Sequence, residues 1–427
     1  MNIKEYLKNN FGISEVVFDK VAEAEKQIAT SFSRVDEIAQ VNQYKVLRAF
    51  QKNNVSDRHF AWNTGYGYDD VGRDVTEKVF ADVFNTEAAL VRTQIVNGTH
   101  ALSIAITSSL RPGDEVIYVT GKPYDTLEEV IGIRGEAGRG SLNEFGITYN
   151  QVELKDNKID FDAIKAVISD KTKMVCMQRA TGYAWREAIS IEDIRECVAL
   201  VKSINKDIIT MIDNCYGEFL DILEPTDVGI DIMAGSLIKN PGGGLALSGG
   251  YIVGRQDLID MASYRLTCPG IGGECGLTFG QTRSILQGLF MAPSVVSGAI
   301  KGAMLCGQVY KNMNYDICPE VDDIRGDIIQ SIKLGSKEAV VAFCQGIQKA
   351  APVDCFVSPE PWDMPGYSND VIMAAGAFVQ GSSIELSADA PIRDPYIVYF
   401  QGGLTYEHSK VGVLKSLQEL YDRNLIG

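Results

Sequence analysis

From residue 1 to about 55 the chain is rich in Glu, Lys, Gln and Ala. Its apolar side chains Val17, Val21, Ile28, Phe32, Val35 and Ile38 recur there at helical spacing. That pattern predicts an N-terminal helical arm. A loop of glycine and tyrosine follows from Trp62 to Gly72, and Asp74 to Val83 reads as a helix. Short apolar runs then begin to alternate with longer amphipathic stretches. Leu90-Val91-Arg92 leads through Asn97-Gly98-Thr99-His100 into a predicted helix from Ala101 to Leu110. Pro112-Gly113-Asp114 turns the chain into a strand from Glu115 to Val119. Later strands are predicted at Met174 to Met177, Ile208 to Asp213, Asp231 to Ser236 and Gly249 to Gly254. Strands separated by helices imply a mainly parallel sheet covered on both faces, the α/β class. In such sheets ligands lie beyond the carboxyl ends of the strands.

The longest apolar region, Gly288 to Gly302, is interrupted by Pro293, Ser294, Ser297 and Lys301. It is too short and too broken to span a bilayer and reads as a buried core helix. Past about residue 305 the rhythm changes. A helix from Ser336 to Gln348 is followed by short runs at Val371 to Ala375 and Tyr396 to Phe400, then by a closing helix from Tyr406 to Asp422. The predicted organisation is a helical arm over 1–55, a large α/β domain over 56–305 and a smaller C-terminal α+β domain over 306–427.

Two strand ends carry candidate chemistry. Lys239 follows a predicted strand and precedes Gly242-Gly243-Gly244. An ammonium placed there is poorly solvated, so it can lose its proton and act as a nucleophile that forms a Schiff base with a carbonyl. Asp213 ends the apolar run Ile208-Ile209-Thr210-Met211-Ile212. A buried lysine and a buried carboxylate are costly to keep without a function, although a structural salt bridge between the two is a competing account. Asn97-Gly98-Thr99-His100 opens a helix whose free amides and dipole favour a phosphate; an ordinary N-cap by Thr99 is the alternative. Tyr124 follows the next strand and suits stacking on a planar ring, or is simply a half-buried surface tyrosine. Phosphate loop, aromatic ring, carboxylate and lysine together describe a pyridoxal phosphate site.

The order Asn97-Gly98-Thr99, Tyr124, Asp213-Asn214-Cys215-Tyr216 and Ser236-Leu237-Ile238-Lys239 resembles fold type I pyridoxal-phosphate (PLP) enzymes of cysteine and methionine metabolism. Several segments are similar to one branch of that group, the methionine γ-lyase-like proteins also known as aluminium resistance proteins. They are Gly65-Tyr66-Gly67-Tyr68-Asp69-Asp70, the run from Asp213 to Phe219, Lys239-Asn240-Pro241-Gly242-Gly243 and the run from Tyr396 to Thr405. The resemblance covers nearly the whole chain from about residue 20. It implies a fold type I PLP-dependent transferase-like architecture, with PLP bound covalently to Lys239 and its ring nitrogen paired with Asp213. By the same resemblance the amides of Gly98 and Thr99 and the hydroxyl of Ser236 hold the phosphate, and Tyr124 stacks on the ring, with His100 as a rival. A tyrosine and an arginine of a neighbouring subunit reach the phosphate in such proteins. Tyr68 and Arg73 are the matching candidates, which requires at least a dimer and suggests a dimer of dimers.

The substrate carboxylate needs an arginine, because the guanidinium fork suits it. Arg393 is the first choice, against a surface arginine paired with Asp394; Arg179 and Arg186 are reserves, and Tyr66 lies in a segment expected near the substrate. Glu218 is read as solvating a helix start. The phosphate loop departs from the Ser-Gly-Met-Gly type of well-studied lyases, residue 123 is proline, and Arg179 to Arg186 does not match their Asn-Pro turn. The function implied is a carbon–sulfur lyase acting on a sulfur amino acid of the cystathionine, methionine or cysteine class. It would release ammonia, a 2-oxo acid and a thiol by β- or γ-elimination. Lys239 would remove the α proton and Tyr124 would protonate the thiolate. An aldolase, racemase or aminotransferase, or a PLP-binding stress-tolerance protein with little catalysis, is the alternative.

Composition narrows the partners. The 427 residues carry a net charge of −16, which argues against nucleic acid or an anionic membrane surface. The start of the chain shows no signal-peptide pattern. Nine cysteines without a CxxC pair look like reduced packing thiols, consistent with a cytoplasmic enzyme. Three histidines, none at metal-ligand spacing, make a zinc site an unlikely expectation.

Overall fold

The computed structural model describes residues 2–364 and 369–426. The arm consists of three helices, α1 (Ile3–Phe11), α2 (Glu15–Ile28) and α3 (Phe32–Lys52). After the glycine-tyrosine loop, Asp70 caps α4 (Val71–Val83) by accepting from the amides of Gly72 and Arg73, both at 3.0 Å. The alternating region then runs β1 (Ala88–Arg92), α5 (Gly98–Ser109), β2 (Glu115–Tyr118), α6 (Asp125–Ile131), β3 (Thr148–Gln151), α7 (Phe161–Val167) and β4 (Thr172–Gln178). It continues with α8 (Ile191–Ile204), β5 (Ile209–Asp213), β6 (Ile232–Ser236), β7 (Gly250–Gly254) and α9 (Gln256–Leu266).

These strands form one seven-stranded sheet in the order β1-β7-β6-β5-β4-β2-β3, parallel from β6 through β3 and antiparallel where β7 pairs with β6 and β1. Alternate residues of each strand feed opposite layers. Ile209 and Met211 of β5 pack with α5 and α9, while Ile212 packs with α4, α8 and a long helix on the other side. Burial on both faces is why the strands read as continuous apolar runs. The edge strand β3, Thr-Tyr-Asn-Gln, is only partly buried, and its polar sequence gave no strand signal.

The long helix is α10 (Thr282–Lys311), which contains Pro293 and continues well past both ends of the apolar run that predicted it. It is long and apolar enough to cross a membrane by length and composition, yet 78% of its most apolar window is buried against the rest of the chain. Beyond it lie β8 (Ile317–Cys318), β9 (Gln330–Lys333), α11 (Lys337–Ala350), β10 (Val371–Ala374), β11 (Ser387–Pro391), β12 (Ile397–Gln401) and α12 (Tyr406–Asp422). The five strands make an antiparallel sheet ordered β10-β11-β12-β9-β8. Its β11, Ser-Ala-Asp-Ala-Pro, has poor strand propensity and is held by ladders to a neighbour on each side.

Candidate functional site

Three segments far apart in sequence converge at the carboxyl ends of β5 and β6. Gly98 opens α5 so close to them that a side-chain carbon there would lie 3.3 Å from Ser236 Cβ and 3.4 Å from Cys215 Sγ. A side chain at this position would press on both strand ends, which would have to give by a few tenths of an ångström. The cap of α5 is Asn97, whose Oδ1 accepts from the His100 amide at 2.8 Å, and not Thr99 as the sequence allowed. The Thr99 hydroxyl instead lies 2.6 Å from that of Thr126 in α6. The amides of Gly98 and Thr99 and the buried hydroxyl of Ser236 make no hydrogen bond among the described residues. Free donors at a helix start beside a strand end form an anion cup.

Lys239 stands at the start of a 3₁₀ turn, Asn240–Gly242, with its Nζ 4.1 Å from the centre of the Tyr216 ring. Tyr216 reaches that position with φ of 73°, a left-handed conformation a tyrosine rarely adopts. Asp213 accepts from the Cys215 amide at 3.0 Å and forms no ion pair with Lys239 within 4 Å. The salt-bridge account of the two residues therefore fails, although each alters the other's titration. Burial raises the Asp213 carboxyl, and the lysine charge opposes that rise. The expectation that Lys239 sheds its proton is reversed in the protein alone. Burial pulls its ammonium down, but the acidic groups around it (Cys215, Tyr216, Asp213 and Glu218) outweigh that and move its pKa up. Since burial also raises Cys215, Tyr216 and Glu218, the Asp213 carboxylate is the effective negative charge among them.

Glu218 does not solvate a helix start. It is 0% exposed, accepts from the Tyr251 hydroxyl at 2.6 Å, and its other oxygen has no partner. Burial pushes its carboxyl up to about 8. Its backbone carbonyl accepts from Asn240 Nδ2 at 3.1 Å, which ties the Asp213 turn to the lysine segment.

Arg179, held in reserve for a substrate carboxylate, is corrected as well. Its side chain is 1% exposed and donates to Asn214 Oδ1 at 3.0 Å and to the Gly217 carbonyl at 2.7 Å, with Glu224 at 3.9 Å. Gly217 leaves room for it, since a Cβ there would lie 2.7 Å from Arg179 Cδ. Arg186 is likewise buried against the carbonyls of Glu187 and Ala180. Arg393 is exposed, makes no ion pair with Asp394, and reaches the Tyr183 carbonyl at 3.5 Å. It lines a cavity of about 460 Å³ with Tyr183, Trp185 and Tyr399.

Tyr124 is half-buried at the start of α6, with its ring beside Gly182 in the turn after β4. The His100 ring accepts from the Val96 amide at 3.2 Å, and burial lowers its pKa. Tyr66 and Tyr68 project outward, 75% and 60% exposed, with ring centres 5.7 Å apart. Arg73 is buried, donating to the Gly67 carbonyl at 2.7 Å and bridging Asp74 at 3.0 Å. Sequence reasoning gave no role to Tyr216, Thr126 or Asp389; the last is an acid in a run of small residues, which carries no local signal.

An anion cup, an unpaired carboxylate and an unpaired lysine amine within one strand-end cluster fit a phosphorylated pyridine aldehyde. The chain matches the methionine gamma-lyase family over residues 17–421. It is 51% identical over 413 residues to the uncharacterised protein YnbB of Bacillus subtilis (strain 168), covering 96% of this chain and 98% of YnbB. A carbon–sulfur lyase involved in aluminium resistance from Clostridium novyi NT matches with a TM-score of 0.95 and 52% identity, over 98% of this chain and all of that one (100%). The PLP-dependent protein YhfS from Escherichia coli matches in fold, with a TM-score of 0.60 at 14% identity over 91% of this chain and 97% of YhfS. The architecture is that of fold type I PLP-dependent enzymes.

Proposed function

The chain belongs to the methionine gamma-lyase family, and from that premise we propose that it is a PLP-dependent carbon–sulfur lyase acting on a sulfur amino acid. The single observation that carries this reading is the group of free donors, the Gly98 and Thr99 amides and the Ser236 hydroxyl, beside a lysine and an aspartate that do not bridge each other. When bound, PLP supplies an electron sink that stabilises negative charge at the substrate α-carbon. The cup of Gly98, Thr99 and Ser236 holds the phosphate, and Asp213 holds the charge at the ring nitrogen. The Lys239 amine would be the covalent anchor, and as a free amine it would be the base for the substrate α proton. Negative groups around Lys239 keep its nitrogen in the charged form until the anchor is made.

Tyr124 donates the proton that the departing thiolate takes up. Arg393, exposed between β11 and β12 beside the Tyr183 carbonyl, is the cation for the substrate carboxylate. Water completes the balance, and the products are a thiol, ammonia and a 2-oxo acid. The exposed rings of Tyr66 and Tyr68 support a homo-oligomer in which Tyr68 serves a neighbouring subunit's phosphate cup, whereas Arg73, buried against the Gly67 carbonyl and Asp74, is held within its own chain. The cysteines are all free, in keeping with a cytoplasmic enzyme.

The test is a screen of cystathionine, cysteine, homocysteine and methionine for release of 2-oxo acid with ammonia, distinguishing pyruvate from 2-oxobutyrate. Lys239→Ala should abolish turnover, because it removes both anchor and base. Full lyase activity in that variant, or amino-group exchange without ammonia in the wild type, refutes the reading.

A further inference from the structure

We infer that Asp389 selects among sulfur amino acids by receiving a second ammonium carried on the substrate's side chain. The inference rests on the lyase reading above and deepens it. Asp389 lies in β11 between Ala388 and Ala390, which are both buried in the core beside Phe343. Strand alternation turns Asp389 to the opposite face, with its register partner Tyr399 in β12 and Gln401 two residues on. That face lies over the large sheet's turn after β4. The Tyr399 hydroxyl donates to the Tyr183 carbonyl at 2.7 Å, and the two rings are 5.2 Å apart.

Both Lys239 and Tyr216 feel the charge of Asp389. One of its oxygens accepts from Gln401 Nε2 at 3.0 Å, and the other makes no hydrogen bond among the described residues. No lysine or arginine among the described residues forms an ion pair with it, so its hydrogen bond comes from a neutral amide alone. Burial accordingly pushes its carboxyl up to about 7. Lys239 is a cation whose charge Asp389 feels, but in the reading above that amine serves first as anchor and then, released and uncharged, as base, so it is no lasting counter-ion. The side chain of a thioether that joins two amino-acid units supplies that missing cation. Methionine, which ends in a methyl group, does not. A charge-assisted hydrogen bond of this kind separates two ligands by about tenfold or more.

The experiment is isothermal titration calorimetry of the PLP-loaded protein with two sulfur-free ligands that cannot be cleaved. One is 2,7-diaminosuberate, which carries the distal ammonium; the other is 2-aminosuberate, which keeps the distal carboxylate but lacks that ammonium. The wild type should bind the diamino ligand about tenfold tighter or more, and Asp389→Asn should reduce the preference to within about twofold. Gln401→Met, which keeps the carboxylate, should keep the preference and so guards against a merely structural role. Equal affinity of the wild type for both ligands overturns the assignment. So does an Asp389→Asn variant that retains the full preference, or one that weakens both ligands alike. Neither ligand carries a leaving group, so no thiol or 2-oxo acid is released by elimination in these titrations, and they stand apart from the oxo-acid screen, whose failure would sink the lyase reading instead.

Discussion

Replacing Arg179 with methionine keeps most of the side-chain volume but removes a guanidinium that is 1% exposed. Two acceptors then lose their donor: Asn214 Oδ1, now at 3.0 Å, and the Gly217 carbonyl, at 2.7 Å. Glu224, 3.9 Å from the guanidinium, keeps the neutral Phe219 amide at 2.8 Å and Asn214 Nδ2 at 3.3 Å as donors and still feels the charge of Lys45. Removing one member of a buried charged pair typically costs about 3–5 kcal/mol. Relief of the guanidinium's own desolvation, which already lowers its pKa, places this case near the lower end, about 3 kcal/mol. Arg179→Lys should recover less than half of that, because both acceptors are served by Nη1 and a lysine ammonium stops one atom short of that position. The assay is equilibrium urea unfolding of cofactor-free protein followed by circular dichroism, which removes stabilisation by bound ligand. A loss below about 1 kcal/mol with an increased KM would refute this reasoning and return Arg179 to the substrate.

Glu218→Gln tests the buried carboxyl beside Lys239. The folded protein holds that proton up to about pH 8 whereas the unfolded chain releases it near 4.5, so between these values the native state binds more protons. Wild-type stability therefore declines relative to Glu218→Gln as pH rises through that window, by at most about 1.4 kcal/mol per pH unit. Urea midpoints of both proteins should diverge from pH 5 to 8, and a constant difference would count against a protonated Glu218. Ser236→Ala should weaken PLP binding to cofactor-free protein by about ten- to a hundredfold, the worth of one hydrogen bond to a charged phosphate, as read by fluorescence titration. Unchanged affinity would remove Ser236 from the cup.

Several parts of this protein could be read without coordinates because their cause is local. The alternation of apolar runs with amphipathic stretches is a property of neighbouring residues, and it gave the strands β1, β2, β4, β5, β6 and β7. Lys239 and Asp213 were legible because strand ends are where a parallel sheet binds ligands, and the glycines after the lysine mark a close backbone approach. Chain order was enough to suggest the cofactor class.

Side-chain roles were a different matter. In sequence Arg179 and Arg393 look alike, but burial against the Gly217 carbonyl occupies one while the other stays exposed. Glu218 looks like any acid before an aromatic residue, until Tyr251, 33 residues away along the chain, is found donating to it. Asp389 sits in a segment with little strand propensity, and only ladders to β10 and β12 turn it to the face it shares with Tyr399 and Gln401. By itself the sequence determined which backbone segments form and which strand ends and helix start carry Asp213, Lys239 and Gly98, because periodicity, capping and glycine geometry act over a few residues. Which charges are buried, which are paired and which face the substrate was decided by the tertiary structure alone, because solvation and Coulomb energy depend on neighbours brought together from distant parts of the chain.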